Sequence, residues 1–299
     1  MSRIHEALKR AEEDRAAGRT SQTDSPTAQP PGTSPHLDSP VANASPATTD
    51  QFTLEALLAQ SALRTWSPDK STMLFFNSEQ ARGTEEFRTL RSRLYQLREK
   101  HPLKRVLVAS SLPKEGKSFV AANLAQALVR QHGRRALLID ADLRAARLHL
   151  ALGTASSPGL SEYLLGETDE FGIMQRGSME NLFFVPAGRT SSNPAELIAN
   201  GRLKLLLDRV ESLFDWVIID SPPVIPVSDA GIIANQCDGV LMVVRSNATA
   251  ADIARKARAE FDDKLLLGVV LNGTKDHAAE YSQYYSVYGK IGDKSGPQR

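Results

Sequence analysis

Lys117 and Ser118 close the stretch Ser110-Ser111-Leu112-Pro113-Lys114-Glu115-Gly116-Lys117-Ser118. An ammonium and a hydroxyl placed directly after a glycine, where a helix begins, suit a di- or triphosphate. Loop amides and the helix N-terminus already present partial positive charge there. Lys117 is positioned to reach β/γ-phosphates and the Ser118 hydroxyl to ligate Mg²⁺. Within this loop Ser111, Lys114, Glu115, Gly116, Lys117, Ser118 and Phe119 are the candidate nucleotide contacts. Ser111 stands where the usual pattern has its first glycine, so a polar turn before a buried helix is the competing interpretation.

Two later stretches carry carboxylates. Arg135-Ala136-Leu137-Leu138-Ile139-Asp140-Ala141-Asp142-Leu143-Arg144 is an apolar run ending in acid. A period of two puts Asp140 and Asp142 on one side of the chain at the strand's C-terminal end, the end where open parallel sheets hold ligands. Phe214-Asp215-Trp216-Val217-Ile218-Ile219-Asp220-Ser221-Pro222-Pro223 repeats the arrangement. Its carboxylate, in Walker B position, would hold Mg²⁺ through water or order the attacking group. Asn272 follows a further apolar run and is placed to meet a nucleotide base.

The elements that must position these groups alternate. Val106 to Ala109 predicts a strand; Val120, Leu124 and Leu128 predict a helix, with Gly133 as its stop. Thr84 to Lys100 predicts a helix that buries Phe87, Leu90, Leu94 and Leu97. Glu85, Arg88 and Arg91 lie three apart on a neighbouring face, as intrahelical pairs or as a subunit contact. Residues 147 to 181 read as connecting helices and loops, with a helix starting at Gly159, and Asn181 to Val185 reads as a strand. Asn193 to Phe214 reads as one helix, with Pro194 in its first turn. Ser228 to Gln236 and Thr249 to Phe261 read as helices. Gly239 to Val244 and Leu266 to Leu271 read as buried strands. Continuous apolar strands alternating with helices indicate an α/β fold, a mostly parallel β-sheet covered by helices on both faces.

Composition narrows the alternatives. The 299 residues carry a net charge of +1, with 24% charged and 6% aromatic residues, so a core is attainable and no strong field marks nucleic acid as partner. The single cysteine, Cys237, excludes an internal disulfide, fits a reducing compartment and reads as a small buried apolar group. The six histidines are scattered, without metal-site spacing. The apolar runs fall short of the ~20 residues that span a bilayer, and no apolar signal segment opens the chain; a cytoplasmic protein is expected.

Both ends differ from the middle. Residues 1–17 have Ile4, Ala7, Leu8 and Ala11 on one helical face, either a solvated marginal helix or a docking peptide. Residues 18–50 are dense in Ser, Thr and Pro, with six of the sixteen prolines, and read as a disordered linker. Residues 51–275 read as the domain that carries the phosphate loop, with a short helix expected within 51–66. In 276–299, Tyr281, Tyr284, Tyr285 and Tyr288 are four of the six tyrosines, clustered between polar residues and glycines. They suit exposed substrates or aromatic contacts, on a tail that extends to ~80 Å at most.

From about Ser78 to Tyr288 the sequence resembles the bacterial tyrosine autokinases, or BY-kinases, built on a MinD/ParA-like P-loop ATPase. The resemblance rests on Glu115-Gly116-Lys117-Ser118, Ile139-Asp140-Ala141-Asp142-Leu143-Arg144, Ile218-Ile219-Asp220-Ser221-Pro222-Pro223, Glu85-x-x-Arg88-x-x-Arg91 and the tyrosine-rich end. The opening Ser2 to Ala11 is similar to the soluble branch linked to exopolysaccharide production. Lys114 stands where the family has glycine, and Leu112 where MinD/ParA proteins carry a signature lysine.

The resemblance implies ATP and Mg²⁺ as cofactors and autophosphorylation of Tyr281, Tyr284, Tyr285 and Tyr288 in trans. Lys117, Asp140, Asp142 and Asp220 would be catalytic, and Ser118, Asp142 and Asp220 would hold the metal. A phenol of pKa ~10 needs a nearby carboxylate to take its proton; Asp140 is the candidate, although the sequence does not separate its role from that of Asp142. Glu85, Arg88 and Arg91 would form a homo-oligomeric ring. Implied partners are a membrane-embedded polysaccharide co-polymerase as activator, which would hold the protein at the inner membrane, and a cognate tyrosine phosphatase. The rival readings are a non-kinase ATPase switch and a catalytically silent scaffold.

Overall fold

The computed structural model describes residues 52–77, 83–262 and 266–274. The opening segment, the linker, the tail and its four tyrosines lie outside the described residues.

Among the described residues, eight strands form one sheet in the order β1-β4-β5-β3-β6-β2-β7-β8. They are β1 (Ala62–Leu63), β2 (Arg105–Ser110), β3 (Ala136–Asp140), β4 (Gln175–Arg176), β5 (Leu182–Val185), β6 (Trp216–Asp220), β7 (Gly239–Arg245) and β8 (Leu266–Asn272). All neighbours run parallel except β4 against β5. Parallel neighbours need crossovers, and helices supply them: α3 (Thr84–Arg98) precedes β2, and α4 (Lys117–Val129) links β2 to β3. Ahead of them come α1 (Leu54–Gln60) and α2 (Leu74–Asn77).

The central strands β2, β3, β5 and β6 are largely apolar because both faces are covered. Leu107, Leu137, Ile139, Val217 and Ile219 pack on one side, with Leu57, Leu206 and Phe214. Val106, Val108, Leu138 and Ile218 alternate to the other, against Phe87, Leu94 and the buried flank of α4. Burial on both faces is what continuous apolar strands require. Helix α4 is enclosed from Val120 to Val129, more completely than one apolar stripe implies. It ends at Val129, and Gly133 serves the following turn with φ +71°.

Three expectations are corrected. Asn193 to Phe214 is two helices, α8 (Pro194–Ala199) and α9 (Arg202–Val210). The break falls at Gly201, whose φ of +86° no helix admits. Leu266 to Leu271 lies in the edge strand, where Val269 and Leu271 are 58% and 56% exposed. The helix expected from Thr249 is shorter, α11 (Ala251–Arg258), because the turn after β7 uses Thr249 elsewhere. The remaining helices, α5 (Leu148–Leu152), α6 (Leu160–Leu165), α7 (Glu170–Ile173) and α10 (Asp229–Ala234), complete the covering layers. Cys237 is buried, and burial pushes its thiol up. No helix among the described residues is long and apolar enough to cross a membrane.

Candidate functional site

The sheet register brings the predicted groups to one rim. Val108 of β2 lies beside Asp220 of β6, and Asp220 lies beside Asp140 of β3. Along β3 and β6, Asp140 and Asp220 share parity with Leu138 and Ile218, so both project toward the face that α4 covers. The loop from Ser110 to Gly116 leads into α4 above them, and Gly116 takes φ +98° at its N-cap. After β6, Val224 N–H donates to the Ser110 carbonyl at 2.8 Å and Ile225 N–H to that of Ser111 at 3.2 Å, which ties the loop's first residues down.

Lys117 is the centre of the cluster. Its Nζ donates to Asp142 Oδ2 at 2.9 Å and lies 3.9 Å from Asp220 Oδ1 and 3.4 Å from Ser118 Oγ. Burial alone would push this ammonium down, yet Asp220, Asp142 and Asp140 together hold it above its ordinary range. One cation thus faces three carboxylates. Asp140 is fully buried and pushed up to about 8, by burial first and then by Asp220. Its Oδ1 accepts from Asp142 N at 3.3 Å and its Oδ2 from Leu148 N at 3.1 Å. Asp142 Oδ1 accepts from Ala145 N at 3.0 Å. Burial raises Asp220 to about 6, against the pull of Lys117 and the Ser118 hydroxyl.

The donor set suits Mg²⁺. Among the described residues no three His, Cys, Asp or Glu side chains are arranged to hold a metal unaided, and Mg²⁺ does not require it: one or two carboxylates, waters and phosphate oxygens are its usual shell. Both oxygens of Asp220 are buried without a full hydrogen bond, and a buried carboxylate in that condition is costly unless something compensates it.

The other predicted residues divide. Lys114 takes φ +67°, a left-handed conformation that favours glycine. Glu115 turns inward: its Oε2 accepts from Leu112 N at 2.7 Å and its Oε1 from the Thr249 hydroxyl. Ser111 is buried with its hydroxyl unpaired. The Phe119 ring packs edge-on against Phe87, 5.8 Å between centroids. Asn272 donates from Nδ2 to the Glu115 carbonyl at 2.9 Å, and a Cβ on Gly116 would come within 2.0 Å of that nitrogen. Glu85 and Arg88 pair at 3.0 Å on the exposed face of α3, while Arg91 donates inward to the Ala127 carbonyl of α4 at 2.8 Å.

Sequence reasoning quoted Arg144 within the second motif but gave it no role; it grips the buried Asp229 with two bonds of 2.8 and 2.9 Å and fixes the chain just past Asp142. Sequence reasoning passed over Arg245, whose Nη1 donates to the Lys114 carbonyl at 3.0 Å. A basic residue at the C-terminal end of a parallel strand was the available signal.

Comparison with known proteins meets this geometry. Residues 114–255 match the family model described as an AAA domain. The tyrosine-protein kinase YwqD of Bacillus subtilis is 35% identical over 205 residues, which are 68% of this chain and 86% of YwqD. The putative tyrosine-protein kinase EpsB of Ralstonia nicotianae is 35% identical over 208 residues; these are 69% of this chain and 27% of EpsB, so the present chain corresponds to only a part of that protein. The kinase domain of the Escherichia coli tyrosine kinase ETK superposes with a TM-score of 0.65 at 28% identity, over 69% of this chain and 82% of that domain. A parallel sheet that sets Lys117 between Asp142 and Asp220, in a sequence this similar to YwqD along most of both chains, places the protein in the family of bacterial tyrosine-protein kinases on a P-loop fold.

Proposed function

We propose that this kinase phosphorylates Tyr281, Tyr284, Tyr285 and Tyr288 of a neighbouring copy, using ATP held in the Ser111–Ser118 loop. The observation that carries the reading is the in-register pair Asp140 and Asp220 beside Lys117. It gathers at one rim the cation for a terminal phosphate and the carboxylates for metal and proton. Asn272, at the end of β8, borders the base.

Phosphoryl transfer asks a protein for alignment and charge neutralisation. Bound Mg²⁺ would supply charge compensation at the β/γ-oxygens, held by Ser118 directly and by Asp142 and Asp220 through water. Lys117 orients the same oxygens. Asp140 accepts the phenolic proton; burial and the neighbouring Asp220 raise its proton affinity above the ordinary carboxylate range, the direction a general base needs. Asp142, on Lys117 and on the Ala145 amide, keeps the loop after β3 in place.

Four phosphates would add ~1.5 to 2 negative charges each to one tail, enough to repel neighbours and open an assembly built on Glu85, Arg88 and Arg91. The cycle fits timing of exopolysaccharide polymerisation and export, with a membrane-embedded co-polymerase as activator, residues 1–17 as its contact and a phosphatase to reset the tail. In domain terms, 1–17 docks, 18–50 links, 51–275 catalyses and 276–299 is substrate.

Purified protein incubated with ATP·Mg²⁺ and mapped for phosphotyrosine tests this. Labelled tail tyrosines that disappear in Lys117→Met are expected. Hydrolysis without label would indicate an ATPase switch, and neither hydrolysis nor label a silent scaffold.

A further inference from the structure

Lys114 is a lysine in a conformation that favours glycine. At φ +67° an L side chain crowds the following carbonyl, and the turn is strained relative to the same turn with glycine. Such a residue persists only where its surroundings over-determine it. Here the surroundings are specific. Arg245, the last residue of β7, donates Nη1 to the Lys114 carbonyl at 3.0 Å. Asn272, the last residue of β8, donates to the next carbonyl, that of Glu115, at 2.9 Å. The Thr249 hydroxyl binds Glu115 Oε1 while Glu115 Oε2 closes the loop on Leu112 N. The three donors belong to one unit: Ser246 N–H bonds the Asn272 carbonyl at 2.8 Å, and Thr249 N–H bonds the Arg245 carbonyl at 3.1 Å.

All these bonds are made to the outside of the loop, to two carbonyls and one buried carboxylate. None uses a loop amide except that of Leu112, so the amides that cradle phosphate stay available. We infer that Arg245 and Thr249 are positioning residues, which hold the strained phosphate loop in its nucleotide-binding shape and supply from outside the restraint that glycine at position 114 would make unnecessary. Arg245 stabilises the residue that carries the strain; Thr249 fixes the carboxylate that closes the turn. The inference rests on the assignment of this loop to the nucleotide.

The test is a double-mutant cycle on the full-length protein, read as the dissociation constant of a fluorescent ATP analogue with Mg²⁺ and as the Tm without nucleotide. Arg245→Ala should weaken binding about fivefold, the worth of one hydrogen bond. The loss should persist when combined with Lys114→Ala, which removes the charge and keeps the strain. Combined with Lys114→Gly, which removes both, it should fall below about twofold. Thr249→Val should weaken binding by about five- to tenfold and Thr249→Ser restore it, with the Tm of Arg245→Ala lowered by no more than about 4 °C, since a single exposed hydrogen bond is lost. Equal losses for Arg245→Ala in all three backgrounds, or a Thr249→Ser variant as weak as Thr249→Val, would overturn the inference. Failure of the parent protein to bind, or unchanged binding in Lys117→Met, would instead overturn the nucleotide assignment beneath it.

Discussion

Replacing Asp140 with asparagine should make the nucleotide-free protein harder to melt while abolishing phosphate transfer. Three carboxylates share one ammonium at this rim, and Asp140, fully buried, bears most of the excess. A group raised in the folded state contributes stability that is complete below its unfolded pKa and is lost as pH rises through the folded value. For Asp140 that window runs from 3.8 to about 8. At 1.36 kcal/mol per unit, holding Asp140 at pH 8 costs on the order of 5 kcal/mol, and on the order of 2 kcal/mol at pH 5. Asparagine removes that cost but can accept only one of the two amide bonds from Asp142 and Leu148, a loss of about 1 to 2 kcal/mol. The net is a gain of about 3 to 4 kcal/mol at pH 8 and of at most about 1 kcal/mol at pH 5. For a domain of this size that is a rise in Tm of roughly 6 to 16 °C at pH 8. Thermal melts of the parent and Asp140→Asn proteins at the two pH values measure it. A lower Tm at pH 8, or a gain that does not depend on pH, would refute the reasoning.

Further outcomes follow from other contacts. Glu162 accepts from Ser157, Gly159, Ser161 and Arg189; Glu162→Gln should cost about 2 to 3 kcal/mol at pH 7 by denaturant titration. Its carboxyl is held down, chiefly by backbone hydrogen bonds that outweigh burial, so that stability is present above the unfolded value of 4.5 and fades as pH falls through the folded one; the Glu162→Gln penalty should shrink in acid. Glu85→Ala removes an exposed pair worth less than about 1 kcal/mol; it should lower self-association in sedimentation velocity without moving Tm. Arg91→Ala should move both, because Arg91 also holds the Ala127 carbonyl.

The site was readable where its parts are local. An apolar strand ending in aspartate, and a Gly-Lys-Ser turn into a helix, each occupy about ten consecutive residues, and β2, β3, β6 and α4 lie where those patterns put them. The break at Gly201 was also written in the chain, since Asn200-Gly201 is turn chemistry, but the apolar spacing on both sides masked it. Other features have no local signature. The two-residue strands β1 and β4 exist only through their partners. The exposure of Val269 and Leu271 follows from the position of β8 at the sheet edge, and an edge strand can be as apolar in sequence as a central one. The clasp on the loop joins Glu115 to Thr249 and Lys114 to Arg245 across more than a hundred residues of chain, a pairing set by topology rather than by spacing.

The central claim, that this rim passes phosphate to a phenol of another copy, is tested most directly by mixing two variants. One carries Lys117→Met with its tail intact; the other keeps Lys117 but has Tyr281, Tyr284, Tyr285 and Tyr288 changed to phenylalanine. With ATP·Mg²⁺, phosphotyrosine should appear on the tail of the Lys117→Met chain, at a rate that rises with the concentration of its partner. Absence of label from the Lys117→Met chain in this mixture, while the parent protein alone labels its own tail under the same conditions, would contradict the account.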